Sequence, residues 1–168
     1  PSSIGNLTNL SMVSIVGNYI TGNIPESIGN LINLVSMNAG NNHLQGSIPL
    51  SIGNLINLER LWLNANNLSG FIPYTICNLD MLNWSQDGFE GDNSYINNNQ
   101  LCPPYPGCIQ EYVGQQNISE CQELQLGDIN IDNIINIQDL ILLVSFILGN
   151  SYPDSQQFIL SDINFDGN

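Results

Sequence analysis

Oxygen-bearing side chains recur at a fixed spacing in the segment Gly127 to Leu148, which reads GDINIDNIINIQDLILLVSFIL. Counted from Asp128 as position 1, they fill positions 1, 3, 5, 9 and 12, and position 7 offers the backbone carbonyl of Ile134. The side chains are those of Asp128, Asn130, Asp132, Asn136 and Asp139. This is the spacing of a twelve-residue loop that binds calcium through oxygen ligands. Position 6, where such a loop turns sharply, is Asn133, and asparagine tolerates the left-handed backbone conformation. We therefore expect a calcium site here.

The segment Ser161 to Asn168, SDINFDGN, repeats the beginning of this loop. Its positions 1, 3 and 5 are Asp162, Asn164 and Asp166, and a glycine follows at position 6. Positions 9 and 12 lie beyond the last residue of the sequence. We therefore expect this second loop to bind calcium at best weakly, because the ligand that closes the site is absent.

After the first loop the sequence predicts an amphipathic helix that ends at Gly149. The apolar residues expected on one face of the helix are Ile137, Leu140, Ile141, Val144, Ile147 and Leu148. A β-strand does not fit, because the alternation of polar and apolar residues breaks at Asn133, Ile134 and Ile135. A surface helix with an acidic cap would leave the acids and amides at five ligand positions without an explanation.

The charge of the chain narrows its range of partners. The chain contains fifteen acidic residues and a single basic residue, Arg60, so its formal net charge is -14. Nucleic acids and anionic membrane surfaces are poor partners for such a chain, because almost nothing neutralises phosphate. Divalent cations are the natural counter-charge, which agrees with the expected calcium site.

The part of the chain before this loop repeats at a constant interval, marked by Pro1, Pro25, Pro49 and Pro73. Each unit reads L-x-x-L-x-x-L-x-L-x-x-N-x-L-x-G-x-I-P with conservative replacements. A short strand places two apolar residues inward, the asparagine turns inward to satisfy backbone groups of the next coil, and glycine and proline turn the chain back. Glycine and proline inside each unit argue against amphipathic helices.

This repeat resembles the leucine-rich repeat family in its plant-type variant, with the ending LxGxIP. The resemblance implies an α/β repeat fold, a right-handed solenoid with short parallel strands, because no single unit can bury its own apolar face. The solenoid ends in an irregular unit, because the spacing from Asn66 to Asn99 is longer than the repeat interval between Asn42 and Asn66. Trp84 and Phe89 in this insertion could cover the open end of the core.

The four cysteines lie close together in the sequence, at Cys77, Cys102, Cys108 and Cys121. Without a CxxC pair, and with His43 as the single histidine, two disulfides in an exported protein fit better than zinc. Four cysteines allow three connectivities, and the sequence alone does not choose. The segment NNQLCPPYPGC resembles the C-terminal cap of extracellular leucine-rich repeat proteins. That resemblance implies that Cys102 pairs with Cys108, which leaves Cys77 for Cys121.

Residues 123–168 resemble a type I dockerin, a duplicated loop-helix module without an entering helix. The resemblance implies two calcium sites and docking onto a cohesin partner. At positions 10 and 11, where many dockerins carry hydroxyl residues that recognise the partner, this chain has Ile137 and Gln138. We therefore expect two domains: residues 1–122, a solenoid with a disulfide-bonded cap, and residues 123–168, a small calcium module whose second half is truncated.

The strand positions between the inward leucines predict a surface that binds a protein or a glycan. Its residues are Ser14, Asn38, Arg60, Trp62 and Asn64. Trp62 beside the only arginine fits a binding hot spot, and it equally fits a lone exposed aromatic residue on a surface. No nucleophile lies near a histidine, and the acids fall at calcium positions, so we expect no enzyme activity in this sequence.

The sequence as a whole predicts a secreted or cell-surface binding protein without catalysis, tethered through a calcium-dependent module. One alternative is the non-catalytic tail of a secreted enzyme that degrades polysaccharides. Another is a plant-like receptor ectodomain or inhibitor, which the acidic loops disfavour. The apolar run Leu140 to Leu148 is too short to cross a bilayer. Pro1 is not a translation start and lies within a repeat, so we expect the native chain to begin earlier.

Overall fold

The structure is a computed structural model that describes residues 1–85, 93–121, 127–130, 134–153, 157, 160 and 161. The chain divides into two compact units, Pro1–Cys121 and Gln122–Asn168. Within the described residues, no helix combines the length and the apolarity that crossing a bilayer requires.

Four short 3₁₀ turns begin the repeats of the first unit at equal intervals: Ser2–Asn6, Glu26–Asn30, Leu50–Asn54 and Tyr74–Asn78. A proline precedes each turn, and its fixed φ prepares the chain for the turn. The glycine in each of the first three turns has no room for a side chain, because the next turn packs tightly against it. A Cβ at Gly53 would clash with the carbonyl oxygen of Thr75 in the next turn. The spacing of the turns is therefore set by backbone contact.

In the described part of this unit, seven short strands form two parallel sheets. Strands β1 (Met12–Ser14), β3 (Ser36–Asn38) and β5 (Arg60–Trp62) make the first sheet. Strands β2 (Thr21–Asn23), β4 (His43–Gly46), β6 (Asn67–Phe71) and β7 (Gln100–Cys102) make the second sheet. The expected solenoid with short parallel strands is confirmed.

The core of the first unit consists of the apolar positions that the repeat predicts. The largest fully buried side chains are Leu31, Leu34, Ile48, Ile52, Leu55, Leu58, Leu61, Leu63, Leu68, Ile72, Ile76 and Ile96. Trp84 of the predicted lid packs against this cluster, whereas Phe89 lies outside the described residues. Burial of these side chains is the main force that holds the coils together, because no coil buries its leucines alone.

Buried asparagines join successive coils, as the sequence predicts. We call Asn42, Asn66 and Asn99 the asparagine ladder; each is buried where its coil turns. The Asn66 side chain accepts a hydrogen bond from the backbone N–H of Leu44 at 2.9 Å and donates one to the carbonyl oxygen of Ala39 at 3.0 Å. One side chain thus satisfies a donor and an acceptor that burial would otherwise leave unpaired.

Both disulfides form in the cap, but the pairing that the resemblance implied is wrong. Cys77 is bonded to Cys108 and Cys102 to Cys121, with Cα–Cα distances of 5.7 and 5.6 Å. The physical reason lies in the core: the segment after β7 places Ile109 in the apolar cluster. This placement carries the neighbouring Cys108 to the 3₁₀ turn that holds Cys77.

The described residues of the second unit contain one α-helix with defined bounds, α1 (Ile137–Ile147), and Gly149 follows it in a left-handed conformation. The helix and its end are as predicted, but the buried face is different. The apolar residues expected to pack are exposed, with Ile137 at 65% and Ile147 at 73%. The only buried side chain of the helix is Asp139, at 3% exposure. The face that packs carries Asp139 together with the half-buried Leu142, Leu143 and Phe146, so it is a different face from the one expected.

Candidate functional site

The predicted binding residues of the first unit do lie together on one sheet. Strand register places Ser14 beside Asn38 and Asn38 beside Trp62. Tyr95 extends this row by one coil, through an isolated bridge with Trp62. We call these four residues the central row. The period of the repeat produces the central row, because each strand pairs with the strand one repeat later and equivalent residues of successive coils then lie side by side.

Trp62 is neither a lone nor a fully exposed aromatic residue. Its indole N–H donates a hydrogen bond to the carbonyl oxygen of Asn93 at 2.7 Å. Its ring lies 6.2 Å from that of Tyr95, centroid to centroid, at an angle of 52°. This spacing is within the range of favourable aromatic pairs. The two rings therefore form a fixed apolar platform at the end of a row of small polar side chains.

Arg60 and Asn64 flank this row on the two sides of Trp62. Arg60 pairs in register with Ser36, which is buried, and its own side chain is half-buried. Asn64 lies over Gly40 of the preceding coil, where a Cβ would come within 2.5 Å of the Asn64 side-chain oxygen. The missing side chain at Gly40 thus makes room for the amide. All five predicted binding residues are therefore on one face.

A polar cavity of about 780 Å³ adjoins the last coil of the same unit. Its polar lining consists of Asn97, Asn98, Tyr105, Gln110, Glu111 and Gln115. Asn97 lies beside Asn64, since its carbonyl oxygen accepts from the backbone N–H of Ala65 at 3.0 Å. The Tyr105 hydroxyl donates to the carbonyl of Leu101 at 3.1 Å, and burial raises the pKa of this phenol. Amides and a neutral phenol can hydrogen-bond a polar ligand.

In the second unit, the structure brings two of the predicted calcium ligands into the interior. Asp128 and Asp139 are 4% and 3% exposed. Asn130 and Asn136 are half-buried, and Ile134 is exposed. Four predicted ligands lie outside the described residues: Asp132, Asp162, Asn164 and Asp166. Across the described residues of both units, no three His, Cys, Asp or Glu side chains are grouped to hold a metal ion.

The Asp139 carboxylate joins the two ends of the loop through backbone hydrogen bonds. Its Oδ1 accepts from the N–H groups of Ile129 at 2.8 Å and Asn130 at 3.1 Å, and its Oδ2 accepts from that of Asn136 at 2.8 Å. The Asn136 side chain in turn accepts from the Gln138 N–H at 2.7 Å, which completes a capping box at the start of α1. The Asn136 hydrogen bond is the largest of the contacts that hold the pKa of Asp139 below its usual range, against the opposing effect of burial.

The donor set fits calcium in type, since carboxylate, amide and carbonyl oxygens are the ligands of this ion. Asp139 Oδ2 accepts one hydrogen bond, so it keeps acceptor capacity for a cation. The same carboxylate also caps a helix.

Two residues that join the cap to the solenoid escaped the sequence reasoning. Gln116 continues the asparagine ladder: it accepts from the N–H of Leu101 at 3.2 Å and donates to the carbonyls of Ile96 and Val113 at 3.0 Å. Ser94, fully buried, accepts from the N–H of Leu61 at 2.9 Å. No periodic signal marks either residue, because the insertion breaks the register and a different side chain replaces asparagine.

Comparisons with known proteins agree with this geometry. A family model described as Leucine Rich Repeat matches residues 2–31, 33–55 and 57–79. The ectodomain of the plant membrane receptor kinase GASSHO1/SCHENGEN3 from Arabidopsis thaliana, solved with CASPARIAN STRIP INTEGRITY FACTOR 2, is 38% identical over 60% of this chain, with a TM-score of 0.52. The Arabidopsis receptor kinase HAESA, solved with the peptide hormone IDA and the co-receptor SERK1, is 29% identical over 71% of this chain, with a TM-score of 0.55.

The ectodomain of the receptor kinase SOBIR1 from Arabidopsis thaliana shares the fold, with 23% identity over 69% of this chain and a TM-score of 0.56. The chain spans only 11%, 20% and 58% of these three structures, in the order given. A search of curated proteins finds no match. The regular coils of the first unit are therefore leucine-rich repeats.

Proposed function

We propose that this chain is an extracellular, non-catalytic binding protein whose first sheet takes an extended peptide segment of a protein partner. The observation that carries the proposal is the central row, which runs across successive coils from Ser14 through Asn38 to Trp62 and Tyr95. Hydroxyl and amide side chains can hydrogen-bond a peptide backbone, and the aromatic pair offers an anchor for an apolar side chain.

The similar solved structures support a peptide as the ligand class. The HAESA structure contains a peptide hormone, and the GASSHO1/SCHENGEN3 structure contains CASPARIAN STRIP INTEGRITY FACTOR 2. The two disulfides support an extracellular location, because such bonds persist in oxidising compartments. A glycan is the alternative ligand of the same face, and a selection of displayed peptides compared with a glycan array distinguishes a peptide ligand from a glycan.

The test is a selection of displayed random peptides on the full chain, followed by affinity measurements with single variants. Trp62→Ala should weaken a selected peptide by about 30-fold, the effect of losing a hot spot worth about 2 kcal/mol. Ser14→Arg should block the row with a bulky side chain and leave the aromatic pair intact. Thr21→Arg is the matched control, because Thr21 is an equally exposed hydroxyl residue on β2 of the second sheet.

Selected peptides that bind equally well to all three variants would contradict the proposal. So would a library that yields no peptide while a glycan array yields a ligand sensitive to Ser14→Arg, because that outcome assigns the face to glycans. Circular dichroism of each variant shows whether a loss of binding reflects a loss of folding.

For the second unit we propose calcium binding by the loop that begins at Asp128, as part of a dockerin-like tether to a cohesin-like partner. Two buried carboxylates at the loop ends support the proposal, in a chain whose net charge is -14. Asp128 and Asp139, together with Asn130 and Asn136, would hold the ion, and calcium would supply the counter-charge that the loop lacks.

Isothermal titration of calcium chloride into the full chain tests this second proposal. We expect one ion per chain, weakened by Asp128→Asn and more strongly by Asp139→Ala, since the latter also removes the helix cap. Glu120→Gln, an exposed acid of the first unit, is the control that should leave binding unchanged. A titration without heat, or one insensitive to both loop variants, would leave Asp139 as a helix cap only.

A further inference from the structure

Five asparagines of the first unit stand in the sequence Asn-x-Ser/Thr without proline at the middle position. They are Asn6, Asn9, Asn67, Asn83 and Asn117. This tripeptide is the acceptor signal for N-linked glycosylation of exported proteins. The chain is rich in asparagine, so some of these tripeptides are expected by chance. A glycan acceptor must in addition have its side chain exposed.

The structure separates these five asparagines from those that the fold uses. All five are exposed, whereas the ladder residues Asn42, Asn66 and Asn99 are buried and lack the acceptor signal. Asn66 and Asn67 show the contrast in adjacent positions: the first is hydrogen-bonded between coils, and the second faces solvent on β6. A bulky glycan would destroy the ladder at the first position and extends into solvent at the second.

The repeat offers an internal comparison at Asn9. Its equivalents one and two periods later, Asn33 and Asn57, donate side-chain hydrogen bonds to the preceding coil, at 2.9 Å to Thr8 and 2.8 Å to Ile32. Neither carries the acceptor signal. Of the three, Asn9 alone carries the signal, and it is exposed.

Asn117 presents its amide in a similar way. Its side-chain oxygen accepts from the backbone N–H of Ser119 at 3.2 Å, in a local turn, and the residue is exposed. The amide nitrogen, which is the atom that would carry the glycan, is not the atom held by this turn.

We propose that Asn6, Asn9, Asn67, Asn83 and Asn117 carry N-linked glycans. In the reaction, the anomeric carbon of a lipid-linked oligosaccharide diphosphate forms a bond to the amide nitrogen. The bond from that carbon to the diphosphate oxygen breaks, the lipid diphosphate leaves, and the amide loses one proton.

The positions of the five sites also bear on the binding face. None of them lies on β1, β3 or β5, and none belongs to the central row or flanks it as Arg60 and Asn64 do. Asn67 lies on the second sheet, Asn6 ends a 3₁₀ turn, and Asn117 lies in the cap. Glycans at Asn6, Asn67 and Asn117 would therefore leave the proposed peptide surface uncovered. Asn83 lies close to that surface, because its backbone carbonyl accepts from the N–H of Ser94, the residue before Tyr95. This part of the inference rests on the proposed function.

The test is to secrete the full chain from a eukaryotic host and to release the glycans enzymatically in heavy-oxygen water, which marks each former acceptor as a labelled aspartate. We expect label at the five sites and none at Asn33 or Asn57, the matched controls. The variants Thr8→Val, Ser11→Ala, Ser69→Ala, Ser85→Ala and Ser119→Ala should each remove the mass of one glycan while keeping the asparagine.

A site without label is not an acceptor, and label at none of the five would overturn the inference. Peptide affinity before and after glycan release separates this inference from the proposed function. Glycans without any peptide binding would contradict only the proposed function, and peptide binding by a chain without glycans would contradict only the inference. In the Ser85→Ala variant, which lacks the glycan at Asn83, peptide affinity that rises on release would place another glycan on the binding face and overturn the statement that those glycans leave it uncovered.

Discussion

Amide side chains serve two separate purposes among the residues of the first unit. Those of the asparagine ladder bind backbone groups of two coils at once, and Gln116 performs the same task in the cap. At the exposed acceptor sites Asn67, Asn83 and Asn117, the amides make no such bonds between coils among the described residues. A buried amide is stabilising only when both its oxygen and its nitrogen are paired, so the ladder positions tolerate little change.

The variant Gln116→Ala tests whether an amide that the repeat pattern did not predict pairs backbone groups as the ladder asparagines do. The substitution leaves the Leu101 N–H and the carbonyls of Ile96 and Val113 without their partner. We expect it to lower the free energy of unfolding by about 1–3 kcal/mol, measured by urea denaturation. Gln115→Ala, at an exposed neighbouring position, should have an effect below about 0.5 kcal/mol. Equal effects of the two variants would mean that Gln116 is not a ladder residue.

The residue before each ladder asparagine adopts a left-handed backbone conformation, and this conformation strains the alanine at position 65. Its φ is 52°, in the left-handed region that costs an alanine about 1–2 kcal/mol. The equivalent positions in other coils are Gly17, Asn41 and Asn98, which tolerate this conformation better. We expect Ala65→Gly to raise the free energy of unfolding by about 0.5–1 kcal/mol, since relief of strain exceeds the added entropy of the unfolded chain.

The comparison for this variant is Ala39→Gly, at a fully buried position that is not among the residues with positive φ. This change should be destabilising, because it removes a packed methyl group and gains no relief of strain. A loss of stability in Ala65→Gly of the same size as in Ala39→Gly would contradict the strain at position 65.

At the scale of elements, α1 begins where a carboxylate gathers three backbone N–H groups. Asp139 holds the loop to the first turn of the helix, while most of the helix's apolar side chains remain exposed. Capping by Asp139 and packing of the half-buried Leu142, Leu143 and Phe146 together position this helix within its own unit. The charge state of Asp139 should accordingly control the helix.

The hydrogen bonds to Asp139, first that of Asn136, place its folded pKa below the usual value near 3.9. The stabilisation is therefore present above the unfolded pKa and is lost as pH falls through the folded pKa. Circular dichroism of calcium-free protein should show helical signal declining below about pH 4. The helical signal of the Asp139→Asn variant should be lower at neutral pH and should change less as the pH falls. Identical acid titrations of the two proteins would contradict the cap.

At the scale of the whole molecule, the chain combines two units that are stabilised differently. The first unit has a continuous apolar core, two sheets and two disulfides at its end. The described residues of the second unit contain one helix and few buried apolar side chains, of which Ile129 and Leu160 are the deepest. We therefore attribute most of the chain's stability to the first unit, since stability scales with apolar burial.

The disulfide assignment is tested by mapping peptides of the unreduced, secreted chain. We expect peptic fragments that link Cys77 to Cys108 and Cys102 to Cys121, and no free thiol. Reduction should lower the stability of the first unit, because each link restricts the freedom of the unfolded chain. Calcium titration of the reduced protein is the control, since the second unit contains no cysteine. A fragment joining Cys102 to Cys108 would return the pairing to the one that the family resemblance implied.

The sequence by itself determined the features that repeat locally. The leucine period predicts the buried positions Leu34, Leu58 and Leu61, the turn prolines and the ladder asparagines, because each depends on contacts with the coil directly before or after it. The same period aligns Ser14, Asn38 and Trp62 on one face. The helix after the acidic loop also follows from local signals, an asparagine cap and a terminal glycine.

Only the tertiary structure decided what happens where the period stops. The pairing of Cys77 with Cys108 depends on which cap residue enters the core, and no spacing in the sequence encodes that choice. Gln116 joins the ladder, and Tyr95 joins the central row, only because the insertion after Trp84 returns the chain to register. The tertiary structure likewise decided which face of α1 packs, because apolar residues occupy both faces and only the one with Asp139, Leu142, Leu143 and Phe146 is covered. The repeat period determines which residues of adjacent coils pack together. The cap closes through contacts between residues that are not separated by a repeat period, so the sequence pattern does not predict them.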